Sequence, residues 1–403
     1  MYDVIIIGSG AAGLMASISA KKHHQKVVIL EQLDDIATKL KATGGGRCNL
    51  TNTLSFEPFM DKFGKNGRFM RDAILSFSSL DLQNFMASIG VSTHAPDGFR
   101  VFPTTHKSIT IIEAFREKLT LEKIEIKCNQ KVLEVAKNGD IFHIKTTKSE
   151  FECRYLIVAT GGNGYKNLGA TGEGYEIAKS FGHTVKKLYP AMMPLLVKEK
   201  WVANCTADTV AKATIQVDIK KYQKLKATGD LIFAKSGIRG PVVLDFAREI
   251  TPLFDIFDEI PVTLNLIKER NENDLIALFK EAPTKTILQT LSQILPNSIL
   301  EELLKLSTID GNQTYKNLLG DDKTKLLHIL TKTPLTISGS EGFKLAMITR
   351  GGINLKEIHP TSMQSKIVPN LYFAGEIIDI DGPCGGYNLQ WAFSSGYLAG
   401  ILK

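Results

Sequence analysis

The sequence predicts an α/β protein, a Rossmann-like doubly wound parallel sheet into which a small antiparallel β domain and a small helical domain are inserted. Three observations predict this fold. Residues 2–31 have the pattern of a strand, a glycine-rich turn, a helix and a second strand. Two further apolar runs, at 155–162 and 371–376, each lead into glycine, as strands buried on both faces of a parallel sheet often do. The chain of 403 residues is also too long for one hydrophobic core.

The amino-terminal unit has the spacing of a dinucleotide-binding turn. Gly8, Gly10 and Gly13 follow an all-apolar run, and glycines at this spacing allow a sharp turn and a close approach of the backbone to a pyrophosphate. The start of the next helix attracts that negative charge. Glu31 ends the second strand, where a carboxylate accepts the hydroxyls of an adenosine ribose. The unit predicts a dinucleotide site and leaves NAD and FAD open.

Two more glycine-rich stretches are candidates for ligand contact. Residues 43–52 contain three consecutive glycines followed by Arg47 and Asn49. Such a run suits a backbone lying against a ligand, with the two side chains as donors, and a flexible loop is the alternative. Residues 382–392 predict a loop that enters a terminal helix. A sheet completed from the far end of the chain places this helix beside the first turn, with the intervening modules as insertions.

The other elements follow from apolar periodicity. Helices are predicted over 66–89 and 109–121, and a hairpin joins strands at 131–135 and 141–144. Short apolar or alternating runs at 215–219, 231–233, 242–244 and 262–266 predict the antiparallel β domain. Leucine-rich residues 273–331 predict the helical module.

Charge and cysteine content bear on the partners and the compartment. The net charge is +7, and residues 186–239 alone hold eleven basic and four acidic residues. This segment is either a solvated lysine-rich face or a field that attracts an anionic substrate or nucleic acid. The five cysteines form no C-x-x-C pair, no leader precedes the first strand, and no apolar run approaches a membrane span. We therefore expect a cytoplasmic protein without a membrane span or a metal site.

Residues 4–31, 43–52, 159–162, 172–175, 351–352 and 372–396 together resemble the BaiN/YhiN-like FAD-dependent oxidoreductases, a bacterial branch of the two-dinucleotide-binding-domain flavoproteins. The most specific matches are Gly44–Asn52 and Gly385–Trp391. The resemblance covers the whole chain and implies FAD as the cofactor. It also implies three modules: an FAD-binding domain at 1–189 and 349–403, a β-barrel-like domain at 190–268 with a return segment at 334–348, and a helical domain at 269–333.

The resemblance also implies which residues contact FAD. The first turn would hold the pyrophosphate, Glu31 the adenosine ribose and the backbone near Val132 the adenine, while the start of the terminal helix would face the pyrimidine edge of the flavin. The expected cofactor-binding residues are Gly8, Gly10, Ala12, Gly13, Glu31, Gln32, Lys39, Thr43, Gly44, Gly45, Arg47, Cys48, Asn49, Val132, Ala159, Thr160, Gly161, Gly375, Glu376, Asp381, Gly386, Tyr387, Asn388 and Leu389.

Four of these residues are also candidates for catalysis: Arg47, Asn49, Tyr387 and Asn388. Arg47 is expected to polarise a substrate oxygen, because its guanidinium is always charged and its fork is rigid. The alternative is that Arg47 fixes its own glycine loop. Cys384 is expected to pack between glycines, and a redox role would need a second thiol, for which Cys48 is the candidate.

The resemblance implies a function in outline. We expect an enzyme that passes hydride from NADH or NADPH to FAD and reduces a small organic substrate at a C=C or C=O bond. A flavin-dependent enzyme or binder of RNA and a flavin redox sensor without turnover are the alternatives. Nucleic acid is not expected, because the basic segment lacks an evident aromatic stacking platform. Where relatives commonly have Thr-His and a later Ser, residues 233–241 contain Lys235 and Arg239, so a relative's substrate does not transfer directly.

Overall fold

The computed structural model describes residues 1–402. The chain divides into two compact units, one made of Met1–Tyr189 with Ile348–Lys403 and the other of Pro190–Met347. The strands are β1 Tyr2–Ile7, β2 Val27–Leu30, β3 Thr51–Asn52, β4 Thr93–His94, β5 Arg100–Pro103, β6 Glu125–Lys127, β7 Val132–Asn138, β8 Ile141–Thr146, β9 Glu150–Val158, β10 Tyr189–Ala191, β11 Leu195–Val197, β12 Thr209–Val217, β13 Lys226–Ala234, β14 Gly237–Arg239, β15 Ile260–Asn265, β16 Thr333–Ser340, β17 Ile348–Arg350 and β18 Leu371–Phe373.

The helices are α1 Ala11–Lys21, α2 Thr38–Ala42, α3 Phe56–Asp61, α4 Arg71–Ser76, α5 Ser79–Ser88, α6 Ser108–Leu121, α7 Glu173–Ser180, α8 Pro241–Ile250, α9 Glu272–Glu281, α10 Ile287–Leu291, α11 Asn297–Ser307, α12 Gly320–Thr331, α13 Gly342–Leu345 and α14 Tyr387–Gly400. No helix in residues 1–402 is both long and apolar enough to cross a membrane.

The first unit is built on the predicted parallel sheet. Strands β6, β2, β1 and β9 lie side by side and run parallel, and β18 joins β9 in the same direction. The hairpin of β7 and β8 extends the sheet antiparallel to β9. The four residues Val4–Ile7 of β1 and all of β2 are buried, because helices cover both faces of a parallel sheet. The Rossmann-like prediction is confirmed.

Close packing of α1 and α14 brings the two ends of the chain together. A Cβ on Gly396 would lie 2.2 Å from the Ala12 carbonyl oxygen, and one on Gly400 would lie 2.4 Å from that of Ala16. Only glycine allows the two backbones this approach. The contact fixes the start of α14 relative to the first glycine turn.

The predicted helix over 66–89 is interrupted. A 3₁₀ segment at Gly64–Met70 leads into α4, and α5 begins only after Ser78. The Ser78 side chain accepts a hydrogen bond from the Asp81 amide, and the Asp81 carboxylate accepts from the Ser78 amide. This capping box starts a new helix within the periodic pattern.

Beside these helices, β3, β5 and β4 form a small antiparallel sheet.

The second unit contains a closed antiparallel barrel in the order β11, β14, β13, β12, β15, β16. The predicted antiparallel domain is thus present, but the apolar run at 242–244 was wrongly assigned to it. These residues begin α8, because Pro241 occupies the first helical position and the buried Val242, Val243, Phe246 and Ile250 recur at helical spacing. Helices α9 to α12 occupy the leucine-rich segment.

Candidate cofactor and active site

The first glycine turn presents bare backbone to an open space. A Cβ on Gly8 would lie 2.5 Å from the Ala159 oxygen, and one on Gly13 would lie 1.9 Å from the Gly8 oxygen, so these two glycines are required by packing. A Cβ on Gly10 would meet nothing within 4 Å. No side chain caps α1, and its first turn contains no acidic residue. The free amides and the helix dipole therefore favour an anion at this position.

Glu31 lies at the rim of this turn and is held there by backbone and side-chain donors. One carboxylate oxygen accepts from the Ser9 amide at 3.0 Å and from the Ser9 hydroxyl, and the other accepts from the Leu33 amide at 2.9 Å. The residue is 8% exposed. These bonds fix the carboxylate and leave lone pairs for further donors. Sequence reasoning missed Ser9, although its position between Gly8 and Gly10 was a signal.

Four other residues expected to bind the cofactor follow β2 or β9 or begin β7. Gln32 Nε2 donates to the Gly169 carbonyl at 2.6 Å, so this side chain holds the loop before α7. Val132 is buried at the start of β7. Gly161 has a φ of +74° and open space at its Cβ position. The buried Thr160 hydroxyl has no hydrogen-bond partner within residues 1–402, which is unusual for a buried polar atom and marks this strand end as a place for a ligand.

The second glycine-rich stretch is a loop with left-handed backbone. Gly44, Gly45 and Gly46 have φ values of +59°, +65° and +84°, and the Cβ positions of the last two are open. The Thr43 hydroxyl donates to the Leu40 carbonyl at 2.7 Å and so ties the start of the loop to α2. Arg47 is exposed, and its Nε donates to the Gly44 carbonyl at 3.2 Å. Arg47 therefore braces its own loop and still presents its charged end outward.

Asn49 joins this loop to the terminal helix. In the amide orientation that satisfies its neighbours, its nitrogen donates to the Thr51 and Val101 carbonyls at 2.9 and 3.2 Å, and its oxygen accepts from the Gly386 amide at 3.0 Å. All three partners are backbone groups of the chain. The side chain is therefore engaged within the protein, which supports a positioning role over direct contact with a substrate.

The start of α14 is enclosed by its surroundings. The Asn388 side chain accepts from the Gly382 amide at 2.7 Å and donates to the Gly382 carbonyl at 2.9 Å, which closes the preceding loop. The Tyr387 ring is buried against Phe59 and Phe63, at centroid distances of 5.1 and 5.9 Å. Leu389 is half-buried one residue further on. No side chain caps the first turn of α14, and the dipole of this helix favours negative charge at its start.

Lys39 and Glu376 link the two ends of the chain. The Glu376 carboxylate accepts from the Thr349 amide and forms an ion pair with Lys39, both at 2.8 Å. Gly375, with a φ of +80°, donates its amide to the Ser395 hydroxyl at 2.9 Å. Glu376 is therefore bonded within the protein, and Thr349 had no signal in the sequence. Asp381 is buried a few residues further on.

The two cysteines near these loops differ in accessibility. Cys48 is fully buried, and burial raises the pKa of its thiol to about 12. Cys384 is exposed, so it does not pack between glycines as the sequence indicated. Because the Cys48 thiolate is strongly disfavoured, a dithiol exchange between the two is not supported. No cluster of three or more metal-ligating side chains occurs within the part of the chain that the structure describes.

The family model described as HI0933-like protein Rossmann domain matches residues 2–402. The chain belongs to the HI0933-like family. This confirms the resemblance to the BaiN/YhiN-like FAD-dependent oxidoreductases, so the chain is a Rossmann-fold flavoprotein of an oxidoreductase family.

Two relatives and two solved structures are similar to this chain over nearly its whole length. The chain is 31% identical to a 3-dehydro-bile acid delta(4,6)-reductase of Clostridium scindens, over 99% of this chain and 98% of the relative. It is 28% identical to a ribosomal RNA dihydrouridine synthase of Escherichia coli, over 98% of this chain and 96% of the relative. A quinol fumarate reductase FrdA structure from E. coli gives a TM-score of 0.52 at 16% identity, covering 99% of this chain and 69% of that one.

A second structure supports the same fold. A 3-ketosteroid-delta4-(5alpha)-dehydrogenase from Rhodococcus jostii gives a TM-score of 0.50 at 15% identity, over 99% of this chain and 96% of that one. At this identity, the likeness concerns the fold alone.

Proposed function

We propose that this protein is an FAD-dependent reductase that takes hydride from NADH or NADPH and delivers it to a carbon–carbon double bond conjugated with a carbonyl group. The observation that carries the proposal is the bare, anion-favouring turn at Gly10 in a chain of the HI0933-like family. The names of the two curated relatives, a delta(4,6)-reductase and a dihydrouridine synthase, both denote saturation of a carbon–carbon double bond. These names favour C=C over C=O among the expected acceptors.

In this proposal, backbone groups bind the cofactor and a few side chains orient it. The amides after Gly10 would hold the pyrophosphate, and the fixed Glu31 carboxylate would accept the ribose hydroxyls. The uncapped start of α14 would place positive partial charge beside the flavin. FAD supplies the hydride transfer chemistry. The buried Thr160 hydroxyl and the open left-handed glycines Gly45 and Gly46 fit a large ligand.

Arg47 is the proposed contact for the substrate carbonyl. Its Nε is used within the loop, but the rest of the guanidinium is on an exposed side chain whose Cζ lies 5.7 Å from the centre of the Phe102 ring. A charged donor at the carbonyl oxygen stabilises the negative charge that develops there when hydride adds to the conjugated carbon. Arg47→Lys would retain the charge and lose the rigid fork.

A uridine base in RNA is the second candidate substrate. The observation that favours it is the hairpin of β12 and β13, on which Lys212, Lys220, Lys221, Lys224 and Lys226 are all exposed. Exposed lysines on one hairpin can contact phosphates without base specificity. The name of the E. coli relative supplies the substrate class. This candidate predicts substrate binding that weakens steeply with salt.

The test is to mix the FAD-loaded protein anaerobically with NADH or with NADPH, and then to add candidate electron acceptors and follow the flavin absorbance. We expect one dinucleotide to bleach the flavin, and a conjugated enone to restore its absorbance faster than an isolated alkene or a saturated ketone. Faster reoxidation by a uridine-containing RNA, lost at high salt, would favour the second candidate. Flavin that neither dinucleotide bleaches would contradict the proposal and favour a flavoprotein without turnover.

A further inference from the structure

A cluster of charged groups lies just after the Gly375–Glu376 turn. Asp379 and Asp381 are both buried, with 7% and 8% of their surface exposed. The Asp379 carboxylate accepts a hydrogen bond from Lys186 Nζ at 2.5 Å. The Lys186 side chain is 46% exposed. Lys186 therefore connects solvent to a buried carboxyl group.

A groove of about 480 Å³ opens beside this lysine. Lys186 and Tyr175 line it, together with neighbouring residues of α7 and of the loop before it. The Tyr175 hydroxyl is buried and has no hydrogen-bond partner within residues 1–402. Burial, Glu376 and Asp379 raise the pKa of this hydroxyl well above its usual value, so Tyr175 stays protonated.

The groups around Asp379 have opposite effects on the pKa of its carboxyl group. Burial is the largest influence and raises the pKa of the carboxyl, and the charge of Asp381 raises it further, while Lys186 and Arg350 lower it. The net direction is upward. A carboxyl group in this setting can take up and release a proton closer to neutral pH than an exposed aspartate can.

The proposed reduction needs such a proton. NAD(P)H provides a hydride, which ends on one carbon of the conjugated double bond as the π bond breaks. The neighbouring carbon then needs a proton to complete its C–H bond, and NAD(P)H leaves as NAD(P)⁺. One proton is therefore taken from water in each turnover.

Resting on the proposed function, we propose that Lys186 and Asp379 are the inlet through which this proton passes from the groove to the cofactor site. The Lys186 ammonium holds the Asp379 carboxylate beside the groove, and Asp379 takes up a proton from water that enters past Lys186, leaving hydroxide in the groove. Asp379 then passes its proton inward, on the side of Asp381. Both are positioning residues for proton delivery, and neither contacts the transferred hydride.

The two half-reactions separate this role from a general structural one. Reduction of FAD by NAD(P)H transfers hydride and needs no proton from water, whereas reduction of the acceptor needs one. Asp379→Asn should leave the first rate unchanged and slow the second about a hundredfold, the usual range for loss of a proton-transfer group. The second rate should also lose its pH dependence. Lys186→Met should shift that pH dependence upward, because removing the cation raises the pKa of Asp379.

Glu176→Gln is the matched control, because Glu176 pairs with Lys179 at 2.8 Å on the same groove but is exposed. It should change neither half-reaction. Asp379→Glu should retain most proton delivery and so shows whether loss of the carboxyl or a packing defect is responsible. Equal slowing of both half-reactions by Asp379→Asn, or an unchanged pH dependence, would overturn the proposal.

A second readout needs no substrate. Photoreduction of bound FAD to its anionic reduced form takes up one proton, which a pH-indicator dye can follow. Asp379→Asn should slow this uptake about a hundredfold relative to Glu176→Gln. Fast uptake in Asp379→Asn would contradict the inlet whatever the substrate is, whereas slow uptake in a protein that NAD(P)H cannot bleach would support the inlet and reject the proposed function.

Discussion

The two glycine-rich turns at the ends of the chain are alike in sequence and different in structure. Each precedes a helix of eleven or more residues whose first turn has no side-chain cap, α1 in one case and α14 in the other. The space beside Gly10 is open, whereas a Cβ on Gly386 would lie 2.4 Å from the Thr51 carbonyl oxygen. The first turn has open space beside its backbone at Gly10, and the second is packed against another segment.

This difference indicates that the two turns have different roles in cofactor binding. The Gly10 turn can bind an anion with amides alone, so it depends on the absence of side chains. The Gly386 turn depends on side chains that hold it in place. The Asn49 oxygen accepts a hydrogen bond from the Gly386 amide, and Asn388 closes the preceding loop. We infer that the first turn supplies affinity for the cofactor and the second fixes its orientation.

Gly10→Val tests the first half of this comparison and should have the largest effect. The backbone at Gly10 has a φ of −70°, which valine adopts, so the protein should fold with little loss of stability. The added methyl groups would occupy the space proposed for the pyrophosphate. FAD affinity should fall at least about a hundredfold, or roughly 2.7 kcal/mol. Bound FAD per chain and urea unfolding of the apoprotein measure the two effects, and normal FAD content would contradict the assignment.

Gly386→Ala tests the second half. Its φ of +83° disfavours alanine by about 1–2 kcal/mol, and the contact with Thr51 adds an overpacking cost of about 1–3 kcal/mol. The free energy of unfolding should therefore fall by about 2–5 kcal/mol. Gly45→Ala is the control, because it has a φ of +65° and open space and should show only the first cost. Equal losses in the two variants would show that the second turn is not packed as described.

Glu31→Ala should weaken FAD binding by about 1.5–3 kcal/mol, the range for hydrogen bonds to a charged group. It also removes the acceptor for the Ser9 and Leu33 amides, so the apoprotein should lose stability as well. Glu31→Gln retains an acceptor oxygen and should recover part of both. Titration with FAD and urea unfolding separate the two effects. Unchanged FAD affinity in Glu31→Ala would place the ribose elsewhere.

Asn388→Ala should have the smallest effect, about 1–2 kcal/mol on the free energy of unfolding, because it leaves the Gly382 amide and carbonyl without their partner. FAD affinity should change less than in Glu31→Ala. A shift in the flavin absorbance spectrum with nearly normal affinity is expected if this loop sets cofactor orientation. Loss of FAD comparable to that of Gly10→Val would remove the distinction between the two turns.

Glycine spacing predicted where the backbone turns sharply, because glycine's steric freedom is local. The same patterns could not predict side-chain partners, since the bonds of Asn49 to Gly386 and of Lys39 to Glu376 join segments more than 300 residues apart. Both asparagines proposed for catalysis are engaged with backbone groups. A loop rich in Asn and Gly looks the same in sequence whether its side chains bind a ligand or hydrogen-bond to the protein's own backbone.

Secondary structure was predictable where periodicity was unambiguous. The hairpin of β7 and β8 and the helix α6 were predicted and are confirmed. The prediction of one helix over 66–89 was wrong at Ser78, because a capping box begins a new helix there without disturbing the apolar period. The strand prediction for residues 242–244 was wrong, because three apolar residues fit a strand or a helix equally well. The preceding Pro241 was the signal that indicated a helix.

The central claim is that this chain binds FAD through the bare turn at Gly10. The most direct measurement is reconstitution of the apoprotein with FAD, followed by determination of bound FAD per chain and of the unfolding temperature. We expect one non-covalent FAD per chain and a higher unfolding temperature, because a ligand that binds only the folded state stabilises it. Apoprotein that is folded, takes up no FAD and shows no change in unfolding temperature would contradict it.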